Sequence, residues 1–291
     1  MGGQLVADEL LPDMQDRADF SAARFKAFWR DMLAFLRGQQ NELLSYDEIR
    51  EKLRVGGPIY RGLQTVPVER IVGSVNRYRD FDRAFLPTQS HTADRWQKIN
   101  RAFYKDVSLP PVLLYQVGDV YFVVDGNHRV SVAREKGQEF IDAEVRECSV
   151  RVPVRSDLQP DELEILGEKV MFLERTALDT LRPQAEIDTT ILGGYERMLE
   201  HIAVHKYFMG LNWRRDIEDE EAVSHWHDAV YTPLVKAIRH ADVLGKFPGK
   251  TETDLYLWVI DHQHFLREQE PGITSEEAAE DFAAKYADNM Q

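Results

Sequence analysis

The chain has 291 residues, 43% of them hydrophobic and 10% aromatic, and a formal charge of −14. That length and apolar content suit one large or two ordinary globular domains and leave little room for extensive disorder. Apolar runs such as residues 120–124 are too short to span a bilayer, no basic-then-apolar leader opens the chain, and a lone cysteine, Cys148, excludes an internal disulfide and four-cysteine metal sites; a reducing, cytoplasmic setting with no membrane partner is the expectation.

The charge is unevenly spread. Residues 1–150 sum to −1 and residues 151–291 to −13, while residues 51–100 alone carry +4. Proteins that hold DNA by neutralising phosphates present a basic face. DNA is therefore a disfavoured partner for the acidic second half, and any basic groove belongs to the first.

In chain order, the residues up to about Asp19 are acidic, include Pro12 and read as a loose lead-in. Phe25, Phe28, Trp29, Met32, Phe35 and Leu36 then recur at helical spacing before Gly38, which predicts an amphipathic helix with a glycine stop. Ser45 with Glu48 is a capping-box pattern opening a second helix, with Ile49 and Leu53 on one face. Residues 1–60 are thus expected to form N-terminal helices that cover the next module, residues 61–150. There the stretch 66–72 predicts a short strand, followed by a polar segment holding Arg77, Arg79, Asp80 and Asp82. Residues 92–104 predict a helix with Trp96, Ile99 and Phe103 on one side, halted by Pro110-Pro111. Residues 112–116 and 120–124 flank Gly118-Asp119 as a two-residue hairpin. A short helix through Val130, Ala133 and Arg134 ends at Gly137, and Ile141, Ala143 and Val145 alternate with charged residues as in a half-exposed strand. Residues 151–291 are expected to be helical, over about 160–179, 194–209, 220–241, 251–268 and 275–288, with Pro233 breaking or kinking the third.

The chemistry concentrates at Asp125-Gly126-Asn127-His128-Arg129, where a buried strand runs into a glycine turn and a helix. The first amides of such a helix lack internal partners and lie at the positive end of its dipole, so an anion gains several N–H donors there. Gly126 permits close backbone approach, His128 and Arg129 add donors, and a guanidinium can grip a phosphate with two parallel bonds. The same residues fit a plainer role, in which Asp125 and Asn127 cap the helix and Arg129 makes a surface ion pair. Arg77 and Arg79, two apart in an extended loop and so facing one way, are candidates for a second wall of the phosphate site; the alternative is a solvated basic loop.

With Gly126-Asn127-His128-Arg129 at the turn, Ala133 to Gly137 at the helix end, the strand from Val66 upstream and Pro111-Val112 entering the hairpin, residues 66–146 resemble the ParB/sulfiredoxin superfamily. The resemblance implies an α+β fold, a mixed-sheet module of that type flanked by N-terminal helices and a mostly helical C-terminal region. It also implies a nucleotide at the turn, with Mg2+ as the accompanying ion: the superfamily binds CTP in partition proteins, ATP in sulfiredoxins and ADP in a free-serine kinase branch. Asn127 stands where sulfiredoxins carry a cysteine, and an amide cannot act as their thiolate nucleophile. Partition proteins follow the module with a helix-turn-helix, a pattern that residues 151–210 do not show. The kinase branch has an Asp-Gly-His-x-Arg turn close to residues 125–129 and needs an upstream carboxylate base, for which Glu69, Asp80 and Asp82 are candidates by position. A nuclease, a label often attached to ParB-like domains, needs clustered carboxylates for Mg2+, here Asp80, Asp82 and Asp125.

The expected function is accordingly a nucleotide-binding switch or regulator with slow hydrolysis. A small-molecule phosphotransferase or nuclease is the enzymatic alternative, a DNA-linked transcription or partition regulator is the third, and a homodimer is compatible with all three. Gly126, Asn127, His128, Arg129, Arg77 and Arg79 would bind the nucleotide, and Asp125, Asp80 and Glu69 are the catalytic candidates.

Seven of the nine histidines lie between His201 and His264. His201 and His205 share a helix face at i,i+4, and His225 with His227 and His262 with His264 beside Asp261 complete the set from which a metal site could be drawn. No His-Glu-x-x-His signature accompanies them and aromatic residues crowd the region, so a polar-tipped core without metal is the expectation.

Overall fold

The computed structural model describes residues 2–36, 41, 43–105, 107, 109–269 and 272–286. The chain divides into two compact units, Met1–Leu163 and Glu164–Gln291. The first is α+β. Its six strands, β1 (Leu44–Ser45), β2 (Pro58–Pro67), β3 (Ile71–Ser74), β4 (Val112–Val117), β5 (Val120–Asp125) and β6 (Phe140–Cys148), form one mixed sheet in the order β1-β3-β5-β4-β6-β2. β4 and β5 make the predicted antiparallel hairpin, with Gly118 at φ +59, the sign a glycine-first two-residue turn requires. β3 runs parallel to β5, β6 parallel to β4, and β2 antiparallel to β6.

Four helices accompany the sheet: α1 (Gly2–Leu36), α2 (Tyr46–Lys52), α3 (Ala93–Tyr104) and α4 (Asn127–Glu135). Ser45 Oγ accepts the Glu48 N–H at 3.5 Å, so the capping pattern opens α2 as expected. α4 packs on the sheet core, where Val130 joins Ile71, Val112, Leu114, Tyr121, Val123, Ala143 and Val145. On another side of the unit Phe20, Ala23 and Ala27 of α1 meet Leu86, Trp96 of α3 and Val132 of α4. Inside this packing Trp96 Nε1 donates to Ser131 Oγ at 2.9 Å, which ties α3 to α4 without leaving the indole unpaired.

Several expectations are corrected. The lead-in before Asp19 is part of α1, because Asp16, Phe20, Ala23 and Ala27 recur at three- and four-residue spacing and are all buried. Asp16 is held there by Asn100 Nδ2 at 3.0 Å and Arg101 Nε at 2.9 Å, a polar member of a seam otherwise apolar. The single strand expected over 66–72 is two strands separated by a 3-10 turn, Val68–Arg70, and the sheet extends well beyond residues 66–146. The Gly38 stop and the end of the helix expected over 275–288 lie outside the described residues.

The remaining helices are α5 (Pro160–Thr176), which crosses the boundary between the units, α6 (Leu178–Leu181), α7 (Gly194–Trp213), α8 (Asp219–Trp226), α9 (Thr232–His240), α10 (Glu252–Gln269) and α11 (Ser275–Tyr286). The helix expected over 220–241 is interrupted by a π turn, His227–Tyr231, and Pro233 stands in the first turn of α9. Proline has no N–H to return to the preceding turn, and the widened turn accommodates that loss. Among the described residues no helix is long and apolar enough to cross a membrane.

Arg134 anchors the C-terminal end of α4. Its Nη2 donates to Val68 O at 2.9 Å and Ile71 O at 2.6 Å, its guanidinium lies 5.3 Å from the Phe85 ring centre, and burial depresses its pKa. Replacing it removes two hydrogen bonds from a charged donor, worth roughly 1.5–3 kcal/mol each. Arg134→Met is expected to destabilise the first unit by about 3 kcal/mol, read from urea unfolding curves at unchanged m-value.

Candidate phosphate-binding site

β5 ends at Asp125, and one residue, Gly126 at φ 107 and ψ 20, turns the chain into α4. A side chain at Gly126 would put Cβ 2.6 Å from Val112 Cγ1, so both the left-handed conformation and the close approach demand glycine. The first intrahelical bond runs from Val130 N–H to Gly126 O at 3.0 Å. The amides of Asn127, His128 and Arg129 precede it and lie at the positive end of the helix. No side chain caps this end, which removes the capping role considered for Asp125 and Asn127.

Arg129 folds back onto the protein. Its Nη1 donates to Pro110 O and, at 2.7 Å, to Pro111 O, and its Nη2 to Asp125 Oδ2 at 2.6 Å, with the side chain only 11% exposed. The guanidinium fork that could grip a phosphate is committed to bracing the entry of β4 against the turn.

Beside the turn lies a recess of about 70 Å3 walled by Arg77, Arg95, Ile99 and residues 125–129. Arg77 reaches it from the loop after β3, donating through Nη1 to Asp80 Oδ2 at 3.1 Å. His91 Nε2 stands 3.7 Å from the other Asp80 oxygen. Arg95, on α3, makes no hydrogen bond or ion pair among the described residues. Nothing local in the sequence marks it; the packing of its neighbour Trp96 on α4 sets it beside the recess.

Asn127 and His128 are each 6% exposed, and Asn127 Oδ1 and His128 Nδ1 have no partner. The His128 ring meets Phe81 edge-on at 5.3 Å. Burial, reinforced by the nearby charges of Arg95 and Arg77 and opposed by Asp80, lowers its pKa to about 4, so the imidazole is neutral at pH 7.

Other predicted residues fall elsewhere. Arg79 lies outside the recess, its guanidinium 5.4 Å from the Tyr78 ring centre. Glu69 sits at the opposite end of α4, where its carbonyl faces Arg134. Asp82 is 2% exposed and accepts the Ala84 and Leu86 N–H groups at 2.9 and 2.8 Å; burial raises its pKa, and it staples its own loop. The carboxylate cluster expected from Asp80, Asp82 and Asp125 does not assemble, and among the described residues no three His, Cys, Asp or Glu side chains are placed to hold a metal ion. In the second unit four of the histidines bond as follows: His201 Nδ1 to Tyr256 Oη at 3.0 Å, His205 Nε2 to His225 Nδ1 at 2.7 Å and His262 Nε2 to Asp281 Oδ2 at 2.6 Å.

Seven solved chains match this protein. One is the C-terminally truncated chromosome-partitioning protein ParB from Caulobacter crescentus complexed with CTP-gamma-S, at 14% identity and TM-score 0.24, covering 77% of this chain and 100% of that one. Another is a Pnob8-like ParB-N domain, at 9% identity and TM-score 0.23, covering 78% and 89%. At TM-scores this low neither match bears on function. No protein-family model and no curated protein matches the chain.

The depressed His128 pKa fixes the sign of a pH effect. Between the unfolded value near 6.5 and the folded value near 4, the unfolded chain binds more protons, so this contribution is complete above about pH 6.5 and is lost as pH falls. From pH 7 to pH 5 the loss attributable to His128 is roughly 1–2 kcal/mol after allowance for solvent screening. Urea unfolding at both pH values should show that decrement shrinking in His128→Gln. An equal decrement in the variant would rule out His128 as its source.

Proposed function

We propose that the turn at residues 125–129 holds the phosphate of a nucleotide, and that the chain is a ParB-like nucleotide-binding protein acting as a switch or regulator. One observation carries this reading: two almost fully buried side chains, Asn127 and His128, keep unpartnered polar atoms at the N-terminus of α4, in a recess that Arg77 and Arg95 also line. A buried polar atom left without a partner costs about 1–3 kcal/mol, and a ligand that supplies partners removes that cost. Helix amides and two cations select an anion. The recess has the volume of about two water molecules, the scale of one phosphoryl group, so the rest of the ligand lies over its mouth. Asn127 Oδ1 needs a donor, which a sugar hydroxyl or base amine offers.

Arg129 supports the site indirectly, by holding the turn. Asp80 favours a second reading, hydrolysis or phosphoryl transfer, because its carboxylate stands beside Arg77 and His91 and acts on His128. Of the upstream carboxylates Glu69, Asp80 and Asp82, it is the one that pairs with a residue lining the recess, Arg77.

A thermal-shift screen with CTP, ATP, ADP and GTP, with and without Mg2+, should find at least one stabilising nucleotide. By isothermal titration, Arg77→Ala and Arg95→Ala should each weaken it about tenfold or more, since a charge-assisted bond contributes roughly 1.5–3 kcal/mol. Arg129→Ala should instead lower the melting temperature of the free protein. Full affinity in a folded Arg77→Ala/Arg95→Ala protein, or silence from every nucleotide, would refute the proposal. Asp80→Asn separates the two readings, since under the second it retains binding and loses phosphate release.

A further inference from the structure

Helix α1 carries two seams on opposite sides. The buried one, Asp16, Phe20, Ala23 and Ala27, packs within the first unit. Half a turn away Phe25, Phe28, Trp29, Met32 and Leu33 are 61, 56, 46, 38 and 46% exposed. Ala18, Ser21 and Ala22 continue that stripe and are also exposed. Ala18, Ser21, Phe25, Phe28 and Met32 alternate three and four residues apart, the a/d spacing by which one helix packs on another. Contiguous aromatic surface of this kind marks an interaction site.

We propose that a second copy of this chain covers the seam, with the two α1 helices antiparallel about a two-fold axis. The stripe is small at one end, Ala18, Ser21 and Ala22, and large at the other, Phe28, Trp29 and Met32. A parallel pair sets bulk against bulk and leaves the small end unfilled, whereas close packing needs large against small. In the antiparallel pair Ser21 faces the second copy's Met32, Ala22 faces its Trp29, and Phe25 faces its Phe28. The same register satisfies the flanking charges. Arg24 and Asp31, seven residues apart and therefore on one edge of the seam, make no hydrogen bond or ion pair among the described residues. Antiparallel pairing brings each Arg24 to the Asp31 of the other copy, and the two-fold axis makes the contact twice.

Sedimentation equilibrium on the full chain tests both the surface and the register. The wild type is expected to dimerise and Phe25→Glu/Phe28→Glu to be monomeric. Arg24→Glu or Asp31→Arg alone, each turning two attractive contacts into repulsive ones, should raise the dimer dissociation constant about tenfold. The Arg24→Glu/Asp31→Arg double variant should restore it, which neither parallel pairing nor an unrelated partner would produce. These exposed residues lie away from the packed seam, so circular dichroism should report unchanged helix content in every variant. A wild type that stays monomeric overturns the proposal, as does one whose stripe instead binds anionic lipid vesicles. A dimer indifferent to the Phe→Glu pair lies on another surface and also overturns it. Failure of the charge-swap rescue overturns the antiparallel register.

Discussion

The first unit turns on the left-handed residue between β5 and α4. Gly126 has no room for a Cβ against Val112, so the strand, the turn and the first amides of α4 are fixed as one piece. Two arginines five residues apart then pin the helix at both ends. Arg129 ties its start to the carbonyls of Pro110 and Pro111, and Arg134 ties its end to those of Val68 and Ile71. Each accepting carbonyl belongs to a segment entering a strand, β4 in one case and β3 in the other. α4 thus sets where two strands begin, and the orientation of its amides follows from the sheet.

Burial of polar groups in the loop between β3 and α3 does the rest. Asp82 accepts two amides of its own loop, which holds Phe81 and Phe85 fully inside the core although Phe85 adopts φ 60, a conformation unfavourable for a bulky side chain. The sheet core repays that strain by enclosing both rings. Phe81 in turn presses on His128. An imidazole packed against an aromatic ring and under the charges of two guanidiniums does not readily take a proton, so in the proposed site it would meet an anion as a neutral hydrogen-bonding group and leave the charge to Arg77 and Arg95.

What the sequence revealed was what is local. The β4–β5 hairpin, the glycine turn and α4 lie within 24 consecutive residues, and each has its own turn or capping chemistry. Most of β2, the part before Val66, escaped because seven of its ten residues are exposed, so no alternation announced it. The α1 packing seam escaped: the face read as apolar, with Phe25, Phe28, Trp29 and Met32, is exposed, and the buried face holds a charged residue and two alanines, Asp16, Ala23 and Ala27, beside Phe20. Arg129 illustrates a deeper limit. Its partners at Pro110 and Pro111 are backbone carbonyls 19 and 18 residues away, and a main-chain acceptor has no signature in sequence. An arginine that would bind a phosphate and one that braces a turn therefore look identical until the chain is folded.

Arg95 shows the converse, a cation placed entirely by tertiary packing. α3 is held from two directions: Trp96 donates to Ser131 of α4, and Asn100 and Arg101 bond Asp16 of α1. Those contacts fix the rotation of α3 about its axis, and with it the direction of every residue along the helix. Arg95 precedes the buried Trp96 by one position, so it falls at the edge of the α3–α4 contact, where the N-terminus of α4 opens. The cation beside the turn is a consequence of how α1, α3 and α4 pack. A substitution at Trp96 or Asn100 would displace it without touching the glycine turn.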